Sequence, residues 1–185
     1  MRNVMILGLA MAALASLPAP SAAQSRQPFS LQGSGAIVFP TEDYGEGLES
    51  GAKLGWEVQA RYTFGRFSIG AGYQRSTVFK ADEAIADLTG TISVGFVEPR
   101  YVLGVWGERA APYVAARLGY GGLLIRGDTQ VTEESFTYGG GVGLLFALAP
   151  SVSLDVGAQY FQADFAGSGS AGYFLARLGA SVGLF

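Results

Sequence analysis

Between Lys53 and Phe64 the chain reads KLGWEVQARYTF, and its residues sort into two sets. Leu54, Trp56, Val58, Ala60, Tyr62 and Phe64 form one; Lys53, Gly55, Glu57, Gln59, Arg61 and Thr63 form the other. A period of two belongs to an extended strand, in which successive side chains leave on opposite faces. One face is continuously apolar with aromatics near both ends, and the other carries charge. The alternation lasts twelve residues, whereas a strand in a globular protein usually has about five or six.

The same pattern recurs along the chain. A first strand from Phe29 to Phe39 places Leu31, Ile37 and Phe39 together, and Pro40 ends it. After a tight turn at Gly65-Arg66, the third strand sets Phe67, Ile69, Ala71 and Tyr73 against Ser68, Gly70, Gly72 and Gln74. The fourth is expected to put Ile92, Val94 and Phe96 on its apolar outer face and Thr91, Ser93 and Gly95 on the other. The proline in Glu98-Pro99-Arg100 then predicts a bulge or an irregular edge before Tyr101 and Leu103. Strand five carries Val114, Ala116, Leu118 and Tyr120 on its apolar face, and strand six Phe136, Tyr138, Val142, Leu144 and Phe146. Strand seven has Val152, Leu154, Val156, Ala158 and Tyr160; strand eight has Phe174, Ala176, Leu178, Ala180, Val182 and Leu184.

The even strands close at Phe64, Leu103, Phe146 and Phe185, at intervals of 39, 43 and 39 residues by subtraction, and RYTFG at Arg61 recurs as RYVLG at Arg100. Four hairpins follow. Their connections alternate between long polar stretches (Pro40 to Gly51, Lys80 to Asp87, Arg126 to Glu134, Ala163 to Ala171) and shorter ones near Gly65, Gly107 and Pro150. Long loops on one rim and short turns on the other are the signature of a membrane barrel. In hydrocarbon every peptide group must pair within the protein, so strands cross only as a closed cylinder without edges. About ten residues at ~3.3 Å per residue, tilted near 40°, cover the roughly 25 Å apolar band of such a barrel. The predicted fold is therefore all-β, an eight-stranded antiparallel up-and-down transmembrane barrel.

The chain begins with Arg2, an uncharged apolar run from Val4 to Leu17, and Ser21-Ala22-Ala23 as small residues for a signal-peptidase cut. The run falls short of the ~20 apolar residues that a membrane helix needs, and Pro18 and Pro20 close it. Residues 1–23 are read as a signal peptide and 24–185 as the barrel, which sets an outer-membrane destination. There is no Cys, so neither a lipoprotein anchor nor a disulfide framework is available. A net charge of -3 without a basic block excludes nucleic acid as a partner. With no His, the commonest general base and metal ligand are missing, and no enzyme activity and no cofactor are expected. GSGAIV at Gly33 and GGGVG at Gly139 open no helix and read as strand glycines, not nucleotide loops. Glu42, Asp43, Glu46 and Glu49 lack the ligand order of a calcium site and read as a solvated loop.

The outer face is expected to be free of charge at membrane depth, where an Arg or Lys costs about 2 to 4 kcal/mol. Arg75, beyond Tyr73, sits at the loop end, where it could reach headgroups. The charges within strands collect on the inner face: Lys53, Glu57, Arg61, Arg117, Asp155 and Arg177, joined by Glu98 and Arg100 from the disturbed segment. Eight strands enclose an interior just wide enough for side chains, so these charges should pair and plug the lumen. Inward glycines at Gly70, Gly72, Gly95, Gly119, Gly139, Gly141, Gly143 and Gly157 would make room for the arginines.

With FPTEDYGEG leading into the first loop, the EPRY segment and a terminal phenylalanine, the mature chain resembles the small outer-membrane barrels of the OmpA and OmpX type. The resemblance implies a structural, envelope-integrity or surface-interaction role carried by extracellular loops. It also implies outer-membrane lipids and lipopolysaccharide as surroundings, delivery to the barrel assembly machinery through the C-terminal strand, and a monomer. Two departures stand out: the apolar register ends at Leu184, leaving Phe185 out of phase, and a periplasmic peptidoglycan-binding domain is not expected. Two alternatives remain open, a narrow gated pore and a secreted lipocalin-like barrel whose apolar face would line a cavity.

Overall fold

The computed structural model describes residues 28–41, 48–49, 51–81, 89–106, 109–126, 131–166 and 169–184. Residues 1–23, most of the acidic loop cluster and Phe185 lie outside them. Eight long strands follow one another: β1 (Phe29–Pro40), β2 (Lys53–Phe64), β3 (Phe67–Ala81), β4 (Thr89–Val102), β5 (Ala110–Arg126), β6 (Val131–Ala149), β7 (Val152–Phe165) and β8 (Gly169–Gly183). Each pairs antiparallel with its neighbours in sequence, and β8 pairs with β1 from Ser30↔Gly183 to Pro40↔Tyr173, so the sheet closes on itself. A two-residue strand, Leu48–Glu49, adds to the loop end of β3. The result is an eight-stranded, all-antiparallel barrel, and β2 spans Lys53–Phe64 as its alternation predicts.

The turn between β2 and β3 shows how local chemistry sets register. Gly65 has φ 61° and Arg66 an ordinary negative φ, the type II′ arrangement whose twist matches a hairpin. Phe64 and Phe67 are then cross-strand partners with rings 6.1 Å apart.

The barrel is inside out relative to a soluble one. Leu31, Trp56, Val58, Ile69, Leu118, Val142 and Leu178 are exposed around the outside, while Glu57, Arg61, Glu98, Arg100, Arg117, Asp155 and Arg177 are buried within. This is the inverse of a lipocalin-type barrel with an apolar cavity. Aromatics cluster on the outer face near both rims: Tyr62, Phe64, Phe67 and Tyr101 at the turn end, Trp56, Tyr73, Phe136, Tyr138, Tyr160 and Phe174 towards the loop end. Such girdles flank the lipid-facing band of outer-membrane barrels.

The main correction concerns β4. Ile92, Val94 and Phe96 face the interior, and Thr91, Ser93 and Gly95 face outwards. No bulge occurs at Pro99: Ile69 pairs with Pro99 in unbroken register, and the β4–β5 ladder only lacks pairs at Glu98 and Pro99. Proline has no N–H to give, so the ladder thins without shifting. Glu98 and Arg100 share parity with Ile92, Val94 and Phe96. Because two charges cannot face hydrocarbon, they carry the whole strand's even face inwards. Gly95 consequently points outwards, contrary to the expectation that it makes room inside. The gap at Glu98 and Pro99 is the irregularity that the proline predicts, and the register shifts lie elsewhere, between Thr77 and Phe79 and between Ala147 and Ala149.

Two polar connections are shorter than expected. β6 begins at Val131 and reaches 19 residues, and Ala163 to Phe165 and Gly169 to Ala171 belong to β7 and β8. Those polar residues continue the ladder beyond the apolar band, where alternation in hydrophobicity is no longer enforced by lipid.

The chain has no native cysteine, so single-cysteine variants can test the phase of β4. Ser93→Cys in lipid vesicles should react with a membrane-soluble maleimide and Val94→Cys should resist it; the reverse would restore the sequence-based phase. Leu118, 57% exposed on the outer wall, should be costly to charge: Leu118→Arg is expected to lower folding stability in vesicles by about 2 to 4 kcal/mol in denaturant titrations.

Candidate functional site

The interior at mid-height is filled by one connected set of polar side chains drawn from seven of the eight strands. Glu98 of β4 is its centre, 0% exposed. Its Oε1 accepts from Arg61 Nη2 at 2.8 Å, Arg100 Nη2 at 3.0 Å and Arg177 Nη2 at 3.1 Å. Its Oε2 accepts from Arg117 Nη2 at 2.6 Å and Nε at 2.9 Å, from Gln159 Nε2 at 3.0 Å and from Arg177 Nη1 at 3.1 Å. One carboxylate thus holds four guanidinium groups from β2, β4, β5 and β8.

Two further carboxylates flank it. Glu57 of β2 accepts from Arg177 at 2.8 Å and from Arg117 at 2.9 Å. Asp155 of β7 accepts from Tyr113 Oη at 2.6 Å, from Gln32 Nε2 at 2.9 Å and from Arg100 Nη1 at 2.9 Å. Arg177 Nη2 stands 3.6 Å from the same carboxylate and donates to the Tyr113 hydroxyl at 3.0 Å. Planar forked donors suit this arrangement, since each arginine can serve two carboxylates at once. Four arginines against three carboxylates leave the cluster one positive charge in excess.

Aromatic faces take up part of that excess. Arg117 lies over Phe96 at 3.8 Å from the ring centre and 5.1 Å from Phe161, and Arg100 lies over Tyr113 at 4.0 Å. A desolvated cation gains from such contacts about 2 kcal/mol or more. Inward placement of Phe96 through the phase of β4 is what brings its ring to Arg117.

The eighth strand, β6, contributes space. A Cβ on its Gly141 would collide with Gln159, and one on Gly143 with the Tyr113 ring. On β3, a Cβ at Gly70 would stand 2.9 Å from Arg61 Nη2, and on β7 a Cβ at Gly157 would stand 2.8 Å from the Tyr113 hydroxyl. Inward glycines therefore make room for tyrosine and glutamine as well as for arginine.

Above the charges, towards the loop end, the interior holds an apolar cluster that includes Val38, Phe79, Ile92, Leu123, Phe161 and Leu175. Below them, Val102, Ala111 and Tyr113 form a smaller one.

Of the residues expected to pair, Glu57, Arg61, Glu98, Arg100, Arg117, Asp155 and Arg177 converge. Lys53 stands apart from the buried charges, half-buried nearer the loop end of β2, with contacts of its own at that rim.

No family model matches the sequence, and no curated protein matches it. Solved structures do. The chain is similar to Neisserial surface protein A (NspA), with a TM-score of 0.72 and 19% identity over 85% of this chain and 97% of NspA. The chain has the fold of the small eight-stranded outer-membrane β-barrels. OprH of Pseudomonas aeruginosa matches with a TM-score of 0.56 and 13% identity over 84% of this chain and 98% of OprH. Ail, the attachment invasion locus protein of Yersinia pestis, matches with a TM-score of 0.53 and 17% identity over 83% of this chain and 95% of Ail. At these identities the likeness speaks for the fold.

Within this outer-membrane barrel fold, sequence reading missed Gln32 and Tyr113, the two neutral ligands of Asp155. Tyr113 shares parity with Arg117 on β5, and that was the available signal. Counting arginine partners gives an order of importance. Glu98→Gln is expected to lower unfolding stability in detergent by about 3 to 5 kcal/mol, because it strands buried cations. Glu57→Gln, which loses two arginine contacts instead of four, should cost less. Equal stability of both variants and the parent would argue against net pairing.

Proposed function

We propose that the protein is an integral outer-membrane barrel with a structural or surface-interaction role in the cell envelope, carried by its loops. In this reading residues 1–23 are a cleaved signal peptide and the lumen is a plug. The observation that carries it is the burial of Glu98 among four arginines at mid-lumen, beneath an apolar cluster, with large apolar side chains exposed around the outside. A water-filled pore would leave these charges hydrated and would need a path past Phe161 and Leu175, both buried. Catalysis would require a base or nucleophile facing substrate, and the buried acids instead are engaged by arginines. NspA is a surface protein by name and Ail an attachment invasion locus protein, and both names accord with a task at the cell surface.

The wider surroundings belong to the same reading. Lipopolysaccharide and phospholipid contact the outer wall, the assembly machinery receives β8, and the barrel stands as a monomer. The partner of the loops is the open part of this function.

Envelope fractions decide the first step. The protein should stay in the membrane pellet through a carbonate wash and should migrate faster on SDS gels unboiled than boiled. Release by carbonate with identical mobilities would overturn the proposal. In planar bilayers the purified protein should be electrically silent, and regular single-channel steps would replace the plug with a pore.

A further inference from the structure

Arg61 is the least neutralised of the four lumenal arginines. Arg177 pairs with Glu57, Glu98 and Asp155, Arg117 with Glu57 and Glu98, and Arg100 with Glu98 and Asp155. Among the described residues Arg61 pairs with Glu98 alone, through Oε1 at 2.8 Å, and it shares that oxygen with Arg100 and Arg177. Its other partners are neutral: Gln59 Oε1 at 2.7 Å, Ser68 Oγ at 3.0 Å and the Glu98 carbonyl at 3.3 Å. The aromatic rings that take up charge lie against Arg100 and Arg117. The excess positive charge of the cluster therefore gathers at Arg61.

Two buried donors stand there without an acceptor. Arg61 Nε and Gln59 Nε2 have no hydrogen-bond partner among the described residues, although Arg61 is only 5% and Gln59 only 3% exposed. They belong to successive inward positions of β2, and the Gln59 side-chain oxygen is already engaged by Arg61 Nη2. Across the ladder on β3, Gly70 faces Arg61 and Gly72 faces Gln59, so that side brings no side-chain acceptor. On β1, Ser30 faces Arg61 and Gln32 faces Gln59. Gln32 directs its amide to Ser34 and Asp155. Ser30, 4% exposed, adds a hydroxyl that can donate.

A buried N–H without an acceptor is costly, and a buried charge without a counter-charge is costlier. Water answers the first need and not the second, whereas a bound anion answers both. One positive charge in excess selects a monovalent ion. Enclosure by Ser30, Gln59 and Arg61, each more than nine-tenths buried, suits a compact ion better than a hydrated oxyanion.

We propose that the turn half of the lumen binds a monovalent anion of chloride size between β1 and β2, held by Arg61 Nε, Gln59 Nε2 and the Ser30 hydroxyl. The ion balances the charge of the Glu98 cluster and gives each of these donors an acceptor. The site rests on the plugged lumen of the reading above and adds an inorganic ligand to it.

Urea titrations of the purified protein in a nonionic detergent read the site, since guanidinium chloride would itself supply the anion. Sodium chloride is varied from about 10 to about 500 mM while sodium gluconate holds the ionic strength fixed, so that screening stays constant. Once chloride exceeds its dissociation constant, the unfolding constant should fall about tenfold for each tenfold rise in chloride, as for one site present only in the folded state. Arg61→Gln leaves three arginines against three carboxylates and should abolish this dependence. Ser30→Ala keeps the charge and removes one ligand, so the same slope should set in at about tenfold higher chloride, the factor for a lost hydrogen bond to a charged group. A parent indifferent to chloride, a dependence that survives Arg61→Gln, or an onset unmoved by Ser30→Ala would overturn the site. If Arg61→Gln does not fold, crystals of the parent grown in bromide make the decision: an anomalous peak should lie against Arg61 Nε, and its absence is the overturning result. Conductance in planar bilayers is recorded on the same preparation. Regular single-channel steps would bring down the plug and the site with it, whereas silent protein without chloride dependence would refute the site alone.

Discussion

Glu98 sits at the middle of an eight-stranded cylinder with four guanidinium groups directed at it. Its charge cannot face lipid, so its parity sets the face of β4. That choice turns Phe96 inwards against Arg117 and leaves Thr91 and Ser93 on the outer wall. Interior packing and the composition of the exterior are therefore two results of one electrostatic constraint.

The cost of this centre is large, because each buried ion loses its hydration. It is offset by multiplicity: Arg177 reaches Glu57, Glu98 and Asp155, and Arg117 reaches Glu57 and Glu98. Gln74 accepts from Arg117 at 2.9 Å and Gln59 from Arg61 at 2.7 Å, so neutral amides satisfy donors left over by the carboxylates. The glycines of β6 belong to the same economy of space. A strand whose inward positions at mid-height are Gly139, Gly141 and Gly143 leaves room for side chains of its neighbours to cross the lumen, while its backbone stays paired in the closed ladder.

Much of this was legible along the chain. The alternation in β2, β7 and β8 separates lipid-facing from lumenal residues cleanly, because lipid tolerates no charge and the lumen prefers one. The alternation in β4 misleads, since apolar residues occupy the inner face beside the charged cluster, and hydroxyls occupy the outer face towards the loop end. An apolar-outwards rule fails at such a place. The charges of Glu98 and Arg100 were the better guide to its phase than the apolar triplet before them. The polar stretches after Arg126 and Ala163 read as loops for a related reason: strands that extend past the membrane keep their hydrogen bonds and lose their hydrophobic pattern.

By itself the sequence determined the strand count, the antiparallel order, the two-faced wall and the set of charges that must be hidden, because each follows from period and from the cost of charge in hydrocarbon. Only the tertiary structure decided which carboxylate is shared, which glycines make room for which side chains, and which face of β4 meets the interior. Those outcomes depend on the stagger between strands that are neighbours in space, and on a bulge at Thr77 to Phe79 that reverses parity within a single strand. A pattern of period two carries the face of a residue but not its height against the strand beside it.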